Sequence, residues 1–191
     1  MADEGRLLVY VGRLSPVKGV EDLAKAFQML AREDERARLV LAGDGVLKGE
    51  LERWFQEWGL ADRVCLTGWL SDKVLGPLYR AADAVIVPSR YEPFGMVALE
   101  AASCGALVIA SRTGGLSEII ERSDGSILGA APESPVELFG LVRRVIEDPD
   151  EARRLAERAR AHVVETYSWQ RVAHAVSSLL LGVVQASRRD D

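Results

Sequence analysis

The sequence predicts an α/β domain of the doubly wound kind, a three-layer Rossmann-like arrangement in which a parallel sheet of about six strands carries helices on both faces. Three observations lead there. Short runs rich in Val, Ile and Leu recur along the chain, among them RLLVYV at 6–11, AVIVP at 84–88 and ALVIAS at 106–111. They lack the polar alternation of a half-solvated strand, as strands buried on both faces do. Each run is followed by a segment with helical apolar spacing, and that order argues for parallel crossovers. The 191 residues, 48% of them hydrophobic, suit one domain over 1–191, large enough to bury roughly 70% of its unfolded surface.

The elements follow in order. After the strand at 6–11 comes a loop, 12–19, and then a helix at 20–31 with Leu23, Ala26, Phe27 and Leu30 on one face and Glu21 and Asp22 in its first turn. The second strand, 38–42, closes on Gly43-Asp44-Gly45. A helix at 47–58 aligns Leu51, Trp54, Phe55 and Trp58 as core residues and stops at Gly59. The third strand, 64–67, ends at Gly68. Ser71 starts a third helix that runs to about Ala82, and Gly76-Pro77 inside it predicts a kink or break. The fourth strand, 84–88, leads through a loop into an alanine-rich helix ending near Gly105. Residues 106–111 are the fifth strand. Thr113-Gly114-Gly115 opens a short helix, 116–121, and Asp124-Gly125 turns into a sixth strand at 126–129. Helices at 134–147, 150–165 and 168–186 finish the chain, and the tail after Ser187 is expected to fray.

Composition narrows the function. Net charge is −5 and no basic cluster stands out along the sequence, which argues against a nucleic-acid partner. No apolar run reaches the ~18–20 residues of a membrane span, and MADEGR is not a signal peptide. Cys65 and Cys104 lie in apolar segments and read as small core residues of a cytoplasmic protein, without a disulfide. His162 and His174 both fall in late helices, so neither a metal cluster nor a hydrolytic triad is expected. There is no GxxxxGK[ST] loop and no GxSxG elbow.

Ligands of such folds sit at the carboxyl ends of the strands, and each candidate site lies on a loop after a strand. Gly12-Arg13-Leu14-Ser15-Pro16-Val17-Lys18-Gly19 sets two cations on a short loop before a helix start. An Arg fork and a mobile Lys charge suit a diphosphate; a solvated loop is the bland alternative. In residues 89–101, SRYEPFGMVALEA, Glu92 and Glu100 bracket a turn into a helix. Gly95, after Phe94, lets backbone approach a ligand, and the amides of Met96 and Val97 fall free at the helix start, where they suit a phosphate. Glu100, about a turn inside, can accept hydrogen bonds from the vicinal hydroxyls of a ribose. Read without a ligand, Glu92 is a turn residue and Glu100 a solvated helix residue.

These motifs together resemble a known family. EPFGMVALE with its Glu92-x7-Glu100 spacing, GR-x4-KG at 12–19, GDG at 43–45, the strand ending in Gly68, the GG turn at 114–115 and Tyr167-Ser168-Trp169 look like the retaining glycosyltransferases of the glycogen synthase and sucrose synthase type, family 4 and its relatives. The likeness runs from about Gly5 to Ala186. It implies one half of a GT-B fold, the C-terminal domain that binds the nucleotide-sugar donor. In such a domain Arg13 and Lys18 would hold the diphosphate, Glu100 the ribose, and Gly114 and Gly115 would lie near the donor sugar. Glu92 would stand by that sugar as nucleophile or as stabiliser of positive charge at the anomeric carbon. Trp69 would either stack on the base or cover the sheet edge. The donor, a UDP-, ADP- or GDP-sugar, is a substrate, so no cofactor is implied.

The resemblance also implies an N-terminal acceptor domain for which these residues leave no room. The chain is therefore expected to bind donor but to transfer sugar weakly or not at all alone. An apolar docking face is expected on the last helix (Val172, Ala175, Val176, Leu179, Leu180, Val183), through which copies can self-associate. Two other readings compete: a GT-B sugar-nucleotide epimerase relative, and a non-catalytic regulatory module that binds nucleotide sugars.

Overall fold

The computed structural model describes the backbone of residues 6–187 and the side chains of residues 6–181; the tail after Ser187 and the side chain of Val183 lie outside them. Six strands form one sheet: β1 (Arg6–Val11), β2 (Ala37–Ala42), β3 (Val64–Gly68), β4 (Ala84–Val87), β5 (Val108–Ser111) and β6 (Leu128–Ala130). All neighbours are parallel, in the order β3-β2-β1-β4-β5-β6. The helices are α1 (Val20–Glu33), α2 (Lys48–Glu57), α3 (Asp72–Ala81), α4 (Met96–Ser103), α5 (Gly114–Arg122), α6 (Pro135–Glu147), α7 (Pro149–Tyr167) and α8 (Trp169–Ser187).

Both faces of the sheet are covered, which is why its strands carry apolar residues at successive positions. In β1, Leu8 and Tyr10 enter one core with Leu23 and Phe27 of α1, Phe55 of α2 and Val142 of α6. Val9, between them, enters the other with Tyr79 of α3, Ala98 of α4, Ile119 of α5 and Val163 of α7. Phe27 and Phe55 meet edge to face at 6.4 Å, while Trp54 and Trp58 pack partly buried beside them. The aromatic face of α2 is core, as its spacing predicts.

Topology places the site. Chain order runs outward from β1 to β2 and β3 on one side, then returns to β4 and runs outward to β5 and β6 on the other. The segments leaving β1 and β4 therefore go to opposite faces at the carboxyl ends of two adjacent strands, the switch point at which open α/β sheets hold their ligands.

Three expectations need correction. α3 passes through Gly76-Pro77 without a break. The hydrogen bond that Pro77 cannot donate would go to the carbonyl of Lys73, an exposed residue in the first turn where water can serve it. Gly76, lacking a Cβ, also removes much of the clash that keeps a pre-proline residue out of the helix. Cys65 is exposed rather than core, because β3 is an edge strand with alternating burial that turns Cys65 and Thr67 outward. Cys104 is half-buried, and both thiols are free. The sixth strand starts at Leu128, since the Ser123 and Ser126 hydroxyls fold 123–127 into a turn by bonding the Ile120 and Ser123 carbonyls, each at 2.7 Å.

Candidate functional site: the crevice between the first and fourth strands

The loop after β1 is held from behind by the Gly43-Asp44-Gly45 turn. The Gly12 amide donates to the Ala42 carbonyl at 2.9 Å, the Leu14 amide to Asp44 at 2.9 Å, and the Leu47 amide to Leu14 at 3.1 Å. GDG is thus support for the loop that carries Arg13. Beneath that loop the buried Tyr10 hydroxyl donates to the Arg13 carbonyl at 2.7 Å. Burial, and secondarily the charge of Glu92, pushes the Tyr10 phenol well above its ordinary range, so it stays a neutral donor. The Arg13 side chain is exposed, and its guanidinium has no hydrogen bond or ion pair among the described residues.

A short 3-10 turn, Pro16–Lys18, brings the second cation back over the crevice. Lys18 Nζ donates to Glu92 Oε2 at 2.6 Å, with the two side chains 29% and 15% exposed. Ser89 Oγ stands 3.4 Å from the same oxygen. The two motifs read separately in the sequence therefore meet in an ion pair.

The loop from β4 to α4 is tied down on every side. The amides of Arg90 and Tyr91 donate to the Val17 carbonyl at 3.0 and 3.3 Å. The Arg90 guanidinium forks onto Asp22, Nε to Oδ2 at 3.0 Å and a terminal nitrogen to Oδ1 at 3.2 Å, with Glu21 at 3.5 Å and Glu133 at 4.0 Å. Asp22 is only 5% exposed. The Asp22 hydrogen bond leads the causes that raise the Arg90 pKa further. Thr113 Oγ1 donates to the Arg90 carbonyl at 3.0 Å, and the Gly115 amide to the Glu92 carbonyl at 2.9 Å.

The Thr113-Gly114-Gly115 turn explains itself against this loop. Gly114 has φ +48°, and a Cβ there would overlap the Glu92 carbonyl oxygen; one at Gly115 would press on Pro93 and Phe94. The glycines let α5 seat the loop that presents Glu92.

At the start of α4, Gly95 is the left-handed cap, and its carbonyl accepts from the amides of Ala98 and Leu99 at 3.0 and 3.3 Å. The amides of Met96 and Val97 make no hydrogen bond among the described residues. Phe94 and Met96 are exposed. Glu100 lies one turn further, exposed on the surface of α4. Desolvation first, and the charge of Asp72 second, raise its carboxyl above the ordinary glutamate value, with Tyr79 opposing. The buried Tyr79 hydroxyl lacks the geometry of a hydrogen bond, yet Glu100 is close enough to help burial push that phenol up.

Two clefts flank these groups. One, about 380 Å³, is lined by Gly12, Arg13, Asp44, Trp69 and Leu75. Trp69, 79% exposed, walls this cleft beside Arg13 rather than packing over the sheet edge. The other, about 450 Å³, lies between α4, α7 and α8 and includes Phe94, Met96 and Glu100. Arg13 lines the first cleft, Lys18 sits on Glu92, and Met96 at the start of α4 lines the second with Glu100. Sequence reasoning missed the Arg90–Asp22 pair. Its one trace was Asp22 lying four residues before Ala26 on the buried side of α1.

The family model of the glycosyl transferases group 1 matches residues 1–162. The chain belongs to that family. Within it, glycogen synthase of Mycobacterium tuberculosis is 35% identical over 182 residues, 95% of this chain and 44% of that protein. Sucrose-phosphate synthase from Thermosynechococcus elongatus superposes with a TM-score of 0.85 at 33% identity, over 97% of this chain and 47% of that one. HepE of Anabaena, solved in complex with UDP-glucose, superposes with a TM-score of 0.79 at 29% identity, over 91% and 49%. The architecture is the Rossmann-like domain of GT-B enzymes, and the chain spans about half the length of these proteins. No helix among the described residues is long and apolar enough to cross a membrane.

Proposed function

We propose that the chain is the donor half of a cytoplasmic, retaining glycosyltransferase and binds a nucleotide-diphosphate sugar in the crevice between β1 and β4. The observation that carries this reading is the 2.6 Å pair of Lys18 with Glu92, which brings the cation-bearing loop and the acidic loop to one point. Arg13 and Lys18 take the diphosphate, and the free amides of Met96 and Val97 take its distal phosphate. Glu100 takes the ribose, Trp69 and Asp44 border the base, and Gly114 and Gly115 keep the loop close to the donor sugar. HepE, solved with UDP-glucose, supports a nucleotide-sugar ligand.

An ammonium group has three donors. One serves Glu92, which leaves two for phosphate oxygens, so Lys18 can bridge the carboxylate and the departing diphosphate. With Oε2 committed to Lys18, Glu92 suits electrostatic stabilisation of positive charge at the anomeric carbon better than nucleophilic attack.

Transfer also requires an aligned acceptor in a site closed to water, and positioning alone is worth ~7–11 kcal/mol. The acceptor side is assigned to an N-terminal domain, in keeping with relatives about twice as long. α8 leaves Trp169, Val176, Leu179 and Leu180 exposed, a face for that domain or, without it, for a second copy. Sedimentation that stays monomeric at high concentration would rule out the second copy.

Calorimetric titration with UDP, ADP and GDP, repeated on Arg13→Ala and Glu100→Ala, tests the donor site. Binding of one nucleotide that collapses in both variants is expected. Binding that survives both, or robust sugar transfer by the purified chain alone, overturns the reading.

A further inference from the structure

The opposite end of the sheet carries a polar cleft of about 500 Å³. Its rim holds four guanidiniums, from Arg6 at the start of β1, Arg80 in the last turn of α3, and Arg153 and Arg160 two turns apart on α7. Asp83 and Glu157 share the lining, and Asp34 and Asp150 stand against Arg6 and Arg153 from beside it. Asp83 is already engaged, accepting the Leu7 amide at 2.7 Å. The four guanidiniums come from positions far apart in sequence, and two of them, Arg80 and Arg160, have no carboxylate partner among the described residues.

Much of that donor capacity is unspent. Arg80 has no hydrogen bond or ion pair among the described residues. Arg160 uses only Nε, on the Ser103 carbonyl at 3.2 Å, so both its terminal nitrogens are available. Arg153 spends one terminal nitrogen on Asp150 at 2.9 Å. Arg6 Nε is buried without a hydrogen bond, its Asp34 neighbour standing 4.0 Å away. The floor is apolar, with Leu107 buried beneath the rim.

We propose that this cleft binds a phosphomonoester on a small body that covers the apolar floor, a nucleoside monophosphate having the right size. Guanidinium forks match phosphate oxygens two at a time, and the volume lies in the usual range of small-molecule clefts. The site is separate from the donor crevice. Arg6 begins β1 and Arg13 lies just past its end, so the two anion sites stand about 20 Å apart along one strand.

Calorimetry of the chain with AMP, ribose 5-phosphate and inorganic phosphate at low ionic strength tests the proposal. AMP is expected to bind tightest. Arg80→Ala and Arg160→Ala should each weaken it about tenfold, and Arg13→Ala should leave it unchanged. Both substituted positions are exposed, so thermal melts should confirm folded variants, with Arg80→Glu as a charge-reversed second test. AMP binding lost in Arg13→Ala and kept in the other two belongs to the donor crevice and overturns the proposal, as does no binding of any of the three. Ribose 5-phosphate matching AMP supports the phosphomonoester site and overturns a base on its floor. Inorganic phosphate matching both overturns the role of the floor altogether.

Discussion

Lys18 and Glu92, 74 positions apart, meet at 2.6 Å across the point where the strand order reverses. Half-buried as they are, neither charge is idle. Glu92→Gln keeps the shape and frees the ammonium for phosphate, so nucleoside diphosphate affinity should hold or rise by up to about threefold. Lys18→Ala removes the charge and should lower that affinity about tenfold or more, the value of charge-assisted hydrogen bonds. Titration calorimetry on both variants reads the contrast; equal losses would deny the bridging role.

Gly114 is where close approach and backbone conformation coincide. Gly114→Ala forces a Cβ onto the Glu92 carbonyl at φ +48°, and should cost about 2–3 kcal/mol. That corresponds to about 4–12 °C in melting temperature for a domain of this size. Gly125, at φ +74° with open space around it, is the control. Gly125→Ala should cost only the conformational part, about 1 kcal/mol. Similar melts for the two variants would show that packing against the Glu92 loop is unimportant.

The Arg90–Asp22 fork should show the asymmetry of buried pairs. Arg90→Ala strands a 5% exposed carboxylate and should destabilise by about 2–4 kcal/mol. Replacing both, as Arg90→Met with Asp22→Leu, should recover part of that loss, because Asp22 is no longer stranded while Glu21 and Glu133 still lose their cation. Urea unfolding of the single and double variants measures the coupling, and additive losses would refute it.

Glu100 sets a pH dependence. Its folded carboxyl is raised above the ordinary glutamate value, chiefly by desolvation. The folded state therefore holds the proton more tightly than the unfolded chain. In the window from the unfolded value up to the raised one, stability falls as pH rises. Glu100→Gln should remove that decline and so raise the melting temperature at pH 7 relative to the parent chain. It should also weaken nucleoside diphosphates while leaving pyrophosphate binding unchanged, since only the former carry a ribose. Melts between pH 4 and 7 and paired titrations decide both parts.

The sequence by itself determined the layered α/β fold, the six strands, the helices between them and the family. Strands covered on both faces and helices covered on one leave unlike apolar patterns, and those patterns are local. The GR-x4-KG and EPFGMVALE stretches were legible for the same reason, because each lies on one short segment. What the sequence left open are relations between segments. The Lys18–Glu92 pair, the Arg90–Asp22 fork across 68 positions, the seat that Gly114 and Gly115 make for residues 92–94, and the gathering of Arg6, Arg80, Arg153 and Arg160 at one cleft all depend on strand order. Strand order settles which loops become neighbours, and it follows from how whole elements pack over the sheet rather than from any local run of residues. The solvent-facing Cys65 belongs here too: its apolar surroundings in sequence say nothing of β3 lying at the sheet's edge, and only the tertiary structure shows that one of its faces is open to water.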